Sequence, residues 1–104
     1  MQIHTQAHGL KLTEEDREYI DMKMEKITTL SKRLKDDSSE IRVDIYHSPT
    51  KASDDEIRCT ITLHIPKNTL RAESHGSKVH EALDLAKQKL IPQIEVYKEK
   101  FAKH

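Results

Sequence analysis

The basic side chains at helical spacing are the residues of this sequence whose chemistry is most easily defined. Four residues of the first half share one flank of a predicted helix, because each residue turns a helix by about 100°: Tyr19, Lys23, Lys26 and Arg33. In the second half, five lysines occupy two opposite flanks: Lys78, Lys89 and Lys100 on one, Lys87 and Lys98 on the other. Two adjacent helices could join such flanks into a basic rim that neutralises phosphates and loses affinity steeply as salt rises. Alternatively, the lysines only cover apolar surface with their stems and keep the protein soluble.

The carboxylates do not predict catalysis. The aspartates show no spacing typical of an acid/base pair or a metal-binding loop, and Asp36-Asp37 and Asp54-Asp55 fall in predicted loops, where solvated turns are the simplest interpretation. No nucleophile elbow or zinc motif is present, and the two glycines, Gly9 and Gly76, cannot build a glycine-rich phosphate loop. We therefore predict a protein that is not an enzyme and needs no cofactor.

The histidines raise the question of a metal site. His4, His8 and His64 fall on the predicted solvent face of a sheet, where they could approach one another across strands. A zinc site needs several ligands in tetrahedral geometry with supporting hydrogen bonds. Solvated strand histidines are the simpler interpretation, so no metal is predicted.

Composition limits the chain to one small domain. Its 104 residues suffice for a single core, predicted to span 1–104, although only 35% are apolar and mean hydropathy is −0.80. The 18 basic and 18 acidic residues cancel, so a basic surface requires an uneven distribution. No membrane-spanning run or signal peptide is apparent. The single cysteine, Cys59, alternates with inward-facing isoleucines; we interpret it as a core residue, and its isolation fits a reducing cytoplasm.

Four segments alternate apolar and polar residues with the period of a half-buried strand: Gln2 to His8, Glu40 to Tyr46, Glu56 to His64 and Thr69 to His75. A first helix is predicted from Glu14 to Leu34. Thr13 and Asp16 form a capping-box-like start for it. Its apolar stripe contains Ile20, Met24, Ile27, Ser31 and Leu34.

A second helix is predicted to start near Lys78. Gly76 would let the chain reverse, and Ser77 would cap the first turn. The apolar stripe continues through Pro92, which should kink or end a helix, so we expect a kink or a restart there. The stripe consists of Val79, Leu83, Ala86, Leu90, Ile94, Tyr97 and Phe101.

These elements give the order β-α-β-β-β-α and an α+β fold. Because each strand has one apolar face and each helix one apolar stripe, the simplest packing is a four-stranded sheet with both helices on one face. Strands two to four should be antiparallel. Strand one, which is joined by a helical crossover, should pair parallel with a neighbour.

The stretch from Leu70 to Lys89 resembles a known family. It combines an LRAE strand end, Gly76, and a helix containing Ala82-Leu83-Asp84. It is similar to the ribosome hibernation-promoting factors, also called the ribosome-associated inhibitor or sigma-54 modulation family. In that family an LRAE-like strand and a glycine precede D-M-Y-x-A-I-D and K-L-x-R-Q-L. The resemblance covers nearly the whole chain and includes the first strand with Ile3, and Thr13, Arg17, Lys23 and Lys26 of helix one.

The resemblance implies a double-stranded-RNA-binding-domain-like fold and a protein that silences translation. In the family, basic helix residues contact small-subunit ribosomal RNA at the decoding region and block the channel of messenger and transfer RNA, which promotes ribosome hibernation under stress or in stationary phase. By this analogy seven residues are expected to bind RNA: Lys23, Lys26 and Lys89 foremost, then Arg17, Lys87, Lys98 and Lys78.

Four positions depart from the family pattern. Lys78 replaces an acidic residue, His80 a tyrosine, Pro92 an arginine and Val96 a lysine. Two phosphate contacts are thereby lost, for which Lys78 and Lys100 could compensate. An alternative function is therefore a protein-interaction module that kept the fold but lost tight ribosome binding. A small hydrolase or metal protein is a third interpretation, with no motif to support it.

The resemblance also implies partners. Only a few residues follow the second helix, so we expect the short form of the family, without a C-terminal dimerisation domain. Short hibernation factors pair ribosomes with a separate helper protein. The expected partners are thus the small ribosomal subunit and such a helper, in the cytoplasm, with no membrane and no small-molecule substrate.

Overall fold

A computed structural model describes residues 1–31, 34, 38–47 and 56–102, with side chains up to residue 100. The element order confirms the predicted β-α-β-β-β-α fold: β1 (Gln2–His8), α1 (Glu14–Thr28), β2 (Glu40–His47), β3 (Ile57–Ile65), β4 (Asn68–Gly76) and α2 (Val79–Ala102). Arg33, Asp36-Asp37, Asp54-Asp55 and the side chain of Phe101 lie outside the described part.

The strands form one four-stranded sheet in the order β1-β2-β3-β4. As predicted, β1 pairs parallel with β2, and β2, β3 and β4 are antiparallel neighbours. The turn between β3 and β4 contains Lys67, with a φ of 66°. One inward-facing row crosses the sheet through Thr5, Val43, Ile61 and Ala72.

The core lies between the sheet and the two helices, which pack on the same face. The stripe of α1 contributes Ile20, Met24 and Ile27, all fully buried. From α2 the fully buried residues include Leu83, Leu90 and Ile94, against inward-facing isoleucine, valine and leucine of β2 and β3. Burial of this apolar surface is the main force that holds the layers together. No helix in the described part of the chain is long and apolar enough to cross a membrane.

The start of α1 has the predicted capping box. The hydroxyl of Thr13 accepts the backbone N–H of Asp16 at 3.0 Å, and the Asp16 carboxylate accepts the backbone N–H of Thr13 at 3.0 Å. Two otherwise unpaired amides are satisfied in this way. The box fixes the entry of α1 and so sets the direction of its lysine flank.

The end of α1 differs from the sequence prediction. The helix ends at Thr28 rather than Leu34. The hydroxyls of Thr28 and Thr29 donate to the backbone carbonyls of Glu25 and Lys26, at 2.6 and 2.7 Å, and thereby satisfy acceptors that another helical turn would have used. Leu34 is nevertheless fully buried, so the apolar position was identified correctly although its helix was not.

Helix α2 continues without a restart past Pro92, contrary to that part of the prediction. Pro92 lies on the exposed face, so the carbonyl that lacks its N–H partner can be hydrated. Leu90 and Ile94, on either side of it, are fully buried in the core. Packing of the apolar stripe outweighs the lost hydrogen bond.

Gly76 is required for a different reason from the one predicted. It is the last residue of β4 and its φ is not positive, whereas Gly9 has a φ of +77°. A Cβ on Gly76 would lie 2.9 Å from the backbone nitrogen of Ala82, closer than real Cβ atoms approach. The hydroxyl and N–H of Ser77 both donate to the carboxylate of Glu81 at 3.4 Å. The glycine therefore allows close packing of α2 on the end of β4.

Candidate nucleic-acid interface

Three of the expected RNA-binding residues meet where α1 faces α2. We call Lys23, Lys26 and Lys87 the lysine cluster. Partial burial lowers the pKa of Lys87, and repulsion by Lys23 and Lys26 lowers it further. Lys23 and Lys87 also line a shallow interhelical groove of about 220 Å³. The predicted joining of two helix flanks therefore occurs on this side of α2.

One carboxylate lies within the lysine cluster. Lys23 Nζ is 3.8 Å from Asp84 Oδ1, whereas the hydroxyl of Tyr19 donates to both Asp84 oxygens at 2.8 and 2.7 Å. This hydrogen bond, then burial and repulsion by the carboxylate, raises the pKa of Tyr19 to about 12. Tyr19 is consequently a neutral donor at physiological pH, and its bond to Asp84 links α1 to α2.

The face of the Tyr19 ring also has contacts. It stacks on His80 with centroids 3.9 Å apart and an interplanar angle of 5°, and His80 Nε2 lies 3.2 Å from Asp16 Oδ1. Lys23 Nζ lies 5.3 Å from the centroid of the same ring, a cation–π distance. We call Asp16, Tyr19, His80 and Asp84 the interhelical network. Histidine in place of the family's tyrosine thus retains a flat ring that can stack.

Lys89 lies on the opposite flank of α2, against the sheet. Its ammonium donates to the backbone carbonyl of Glu73 at 3.1 Å. The Gln93 side chain donates to the carbonyl of Arg71 at 2.7 Å and accepts the N–H of the same residue at 3.4 Å. Lys89 therefore helps to cover the edge of β4 and is not part of the lysine cluster.

The remaining expected residues are distributed around the two helices. Lys98 lies 3.6 Å from Glu95 and shares the flank of Lys87, eleven residues or about 16 Å further along α2. Arg17 is exposed, on the other side of the α1 stripe from Lys23. Lys78 is exposed just before α2, on the flank of Lys89. The structure thus brings three of the seven residues together. Lys98 lies further along the flank of Lys87, and Arg17, Lys78 and Lys89 lie on other flanks.

Sequence reasoning missed Asp84 and Gln93 as contributors to this region. Asp84 was noted only within the family motif and as one of the aspartates that lack catalytic spacing, although its position one turn from His80 and Lys87 placed it on the same flank as these residues. No sequence signal could have identified Gln93. Its role depends on β4 being an edge strand directly beneath α2.

The histidines of the open sheet face do not converge. His8 bonds Asp44 at 3.0 Å and stacks on Tyr46 with ring centroids 4.4 Å apart, while His64 contacts Thr69 at 3.3 Å. His4 instead contacts Gln2 at 3.2 Å. Among the residues that the structure describes, no three His, Cys, Asp or Glu side chains are grouped so that they could hold a metal ion.

Known proteins are similar to this chain in sequence or in fold. The ribosome hibernation promotion factor of Deinococcus radiodurans is 26% identical over 104 residues, which cover 99% of this chain and 52% of that protein. The chain thus spans about half the length of this curated relative. A ribosomal subunit interface protein from Coxiella burnetii has the same fold, with a TM-score of 0.77 and 19% identity over 95% of this chain and 99% of the other.

The N-terminal domain of Thermus thermophilus Protein Y is also similar in fold. Its TM-score is 0.68 at 17% identity, over 92% of this chain and 94% of that domain. The family model described as sigma 54 modulation protein / S30EA ribosomal protein matches residues 3–102, which is nearly the whole chain. The chain therefore belongs to the sigma 54 modulation protein / S30EA ribosomal protein family.

Proposed function

We propose that this protein is a ribosome-associated translation silencer that binds small-subunit ribosomal RNA at the decoding region and promotes hibernation. The single observation that carries the proposal is the lysine cluster at the interhelical groove, in a chain of this family. The name of the Deinococcus relative, ribosome hibernation promotion factor, supports the same assignment. The proposed action is binding without catalysis, and ribosome association would place it in the cytoplasm.

The lysine cluster suits phosphate binding for an electrostatic reason. Lys23 and Lys26 each repel Lys87, and after burial this repulsion is a cause of the lowered pKa of Lys87. A bound phosphate would offset this repulsion and release condensed counterions from the RNA. Lysines act on phosphates as point charges and read no base sequence. The expected contact is therefore with the RNA backbone, whose fold supplies the specificity.

The other basic residues would act around this centre. Lys98 extends the lysine cluster along α2, so we assign it an additional phosphate contact. Arg17, Lys78 and Lys89 would contact RNA only where it wraps around the helix layer, because they lie on other flanks. The small ribosomal subunit is the proposed partner. A helper protein that pairs ribosomes is a further proposed partner that rests on the family alone.

A second candidate function is a protein-interaction module. One observation favours it: Val96 is 55% exposed beside Leu70 and Tyr97, in a mostly apolar depression of about 240 Å³. The net charge of zero also provides no long-range attraction to RNA. This candidate predicts weak binding to ribosomes that does not depend on salt.

Co-sedimentation with ribosomes and separated subunits, across a salt series, tests the proposal. The Lys23→Glu/Lys26→Glu variant should lose small-subunit binding because it places carboxylates in the lysine cluster. The matched control is Lys11→Glu/Lys67→Glu, which changes the net charge equally at two exposed positions outside the cluster. It should bind nearly as well as the wild type.

The outcomes separate the candidates. The silencer function predicts that the wild type binds the small subunit stoichiometrically and that this binding weakens as salt rises. It also predicts that only the lysine-cluster variant loses the binding. Equal binding by both variants would contradict the site. No wild-type association even at low salt would favour the interaction module. Circular dichroism of each variant shows whether the domain remains folded.

A further inference from the structure

The position of Asp84 is unexpected for a phosphate-binding surface. A carboxylate among three lysines adds charge of the wrong sign and competes with phosphate for Lys23. Its short contacts, however, are not to a lysine. Both carboxylate oxygens accept from the neutral hydroxyl of Tyr19, at 2.8 and 2.7 Å, whereas Lys23 Nζ remains 3.8 Å away. The geometry is that of a hydrogen bond between two helices, with the lysine beside it.

This hydrogen bond determines where the Tyr19 ring lies. The hydroxyl is held by Asp84, and the ring face is held by the parallel stack on His80 at 3.9 Å. His80 in turn lies 3.2 Å from Asp16, near the start of α1. The Tyr19 side chain of α1 is therefore held by two residues of α2, and one of them, His80, is in turn contacted by Asp16 of α1.

The fixed ring in turn restricts Lys23. Its ammonium lies over the face of the Tyr19 ring, 5.3 Å from the centroid, and 3.8 Å from Asp84 Oδ1. Only 24% of the Lys23 side chain is exposed, in contrast to a free surface lysine. A lysine that is already ordered loses less conformational entropy when it binds a phosphate.

We propose that Asp84 is a positioning residue: through its hydrogen bond to Tyr19 it holds Lys23 in the lysine cluster, ready for an RNA phosphodiester. The proposal rests on the proposed function and adds the means by which the site is preorganised. In this scheme Asp84 does not contact RNA. Its benefit in ordering Lys23 exceeds the cost of its negative charge.

The opposite role, in which Asp84 only neutralises the lysines, makes opposite predictions. Removal of a counter-charge should strengthen RNA binding, whichever neutral residue replaces it, and the Tyr19 hydroxyl should not matter. Removal of a positioning residue should weaken binding unless the replacement still accepts the Tyr19 hydrogen bond. The sign of the change in affinity therefore distinguishes the two roles.

Binding of purified small ribosomal subunits at fixed salt and pH 7 provides the test. Tyr19→Phe keeps the ring and the net charge but removes the hydroxyl, and should weaken binding about fivefold through the lost ordering of Lys23. Asp84→Ala should weaken it similarly. Asp84→Asn keeps an acceptor for Tyr19, and should bind at least as tightly as the wild type. Tyr46→Phe, on the open sheet face, is the matched control and should have no effect.

Each outcome supports or overturns the proposal. Unchanged binding by folded Tyr19→Phe, or tighter binding by both Asp84 variants, overturns the positioning role while the proposed function remains. If Tyr19→Phe unfolds, the comparison of Asp84→Ala with Asp84→Asn still decides the question. Failure of the wild type itself to bind overturns the proposed function and this proposal with it. Thermal unfolding of every variant confirms that affinities are measured on folded protein.

Discussion

Cys59 shows how strongly the core constrains a single residue. It lies on the inner face of β3 with no exposed surface. Burial, with a smaller repulsion by Asp44, raises the pKa of its thiol from 9.0 to about 12. Since the thiolate is the reactive form, the folded state protects this cysteine both by exclusion of solvent and by its protonation.

We therefore expect very slow reaction of Cys59 with a thiol reagent at pH 8. A shift of the pKa from 9.0 to about 12 lowers the thiolate fraction about a thousandfold. Labelling followed by mass spectrometry should be slow in the native protein and fast in urea. Labelling in native buffer at the rate seen in urea would contradict burial in the core. Because the folded pKa is raised, the thiol should also destabilise the fold as pH rises from about 9 through about 12.

The inward direction of Cys59 could be predicted from the sequence, because alternation along a strand is a local property. The contacts of Asp84 could not. They depend on Tyr19, 65 residues away, and on how α1 and α2 lie relative to each other. Gly76 was identified from its residue type, but the reason for it, the close approach of Ala82, exists only in the packed structure.

At the scale of elements, α2 not only packs on the core but also covers the exposed edge of β4. β4 is an edge strand, whose outer backbone groups could pair with another chain. Gln93 satisfies both the N–H and the carbonyl of Arg71, and Lys89 satisfies the carbonyl of Glu73. The flank of α2 that faces away from α1 therefore covers the sheet edge with side-chain hydrogen bonds.

Gln93→Ala should lower the free energy of unfolding by about 1–2 kcal/mol, because it removes two side-chain bonds to the backbone. Urea denaturation would measure the loss, and light scattering would show whether the uncovered edge promotes association. Gln88→Ala, at an exposed position of the same helix, is the control and should change stability by less than about 0.5 kcal/mol. Equal stability of both variants would mean that the β4 edge does not need Gln93.

The strands and helices themselves followed from periodicity, but two features of the helices did not. The end of α1 at Thr28 depends on threonine hydroxyls that bond to the preceding turn. The continuity of α2 past Pro92 depends on which face the proline occupies. In both cases local backbone preferences and core packing act together to decide where the helix runs. A periodic apolar pattern predicts only which residues pack in the core.

At the scale of the whole molecule, zero net charge conceals an uneven distribution. The 18 basic and 18 acidic residues balance, yet the lysine cluster brings three cations together where α1 faces α2, and two of them, Lys23 and Lys87, line the groove. The sequence predicted basic flanks on both helices. It could not predict which flank of α2 would face α1 and which would face β4, because both lie equally beside the buried stripe. That choice places Lys87 in the cluster and Lys89 against the sheet.

A neutral protein attracts RNA only at short range, so its salt dependence should report the lysine cluster directly. If each cluster lysine neutralises one phosphate, Lys23→Gln/Lys26→Gln/Lys87→Gln should reduce the slope of log affinity against log salt by about two to three. The control, Lys11→Gln/Arg42→Gln/Lys67→Gln, removes three exposed cations outside the expected RNA-binding residues, has the same net charge and should keep the wild-type slope.

Small-subunit binding measured from low to moderate salt would give both slopes. Because the two triple variants differ only in where the charges are lost, a difference between their slopes cannot arise from net charge. A shallower slope in the cluster variant alone would mean that phosphate contacts concentrate at the α1–α2 groove. Equal reductions in both would mean that RNA contacts spread over the surface, and the lysine cluster would then have no special role in binding.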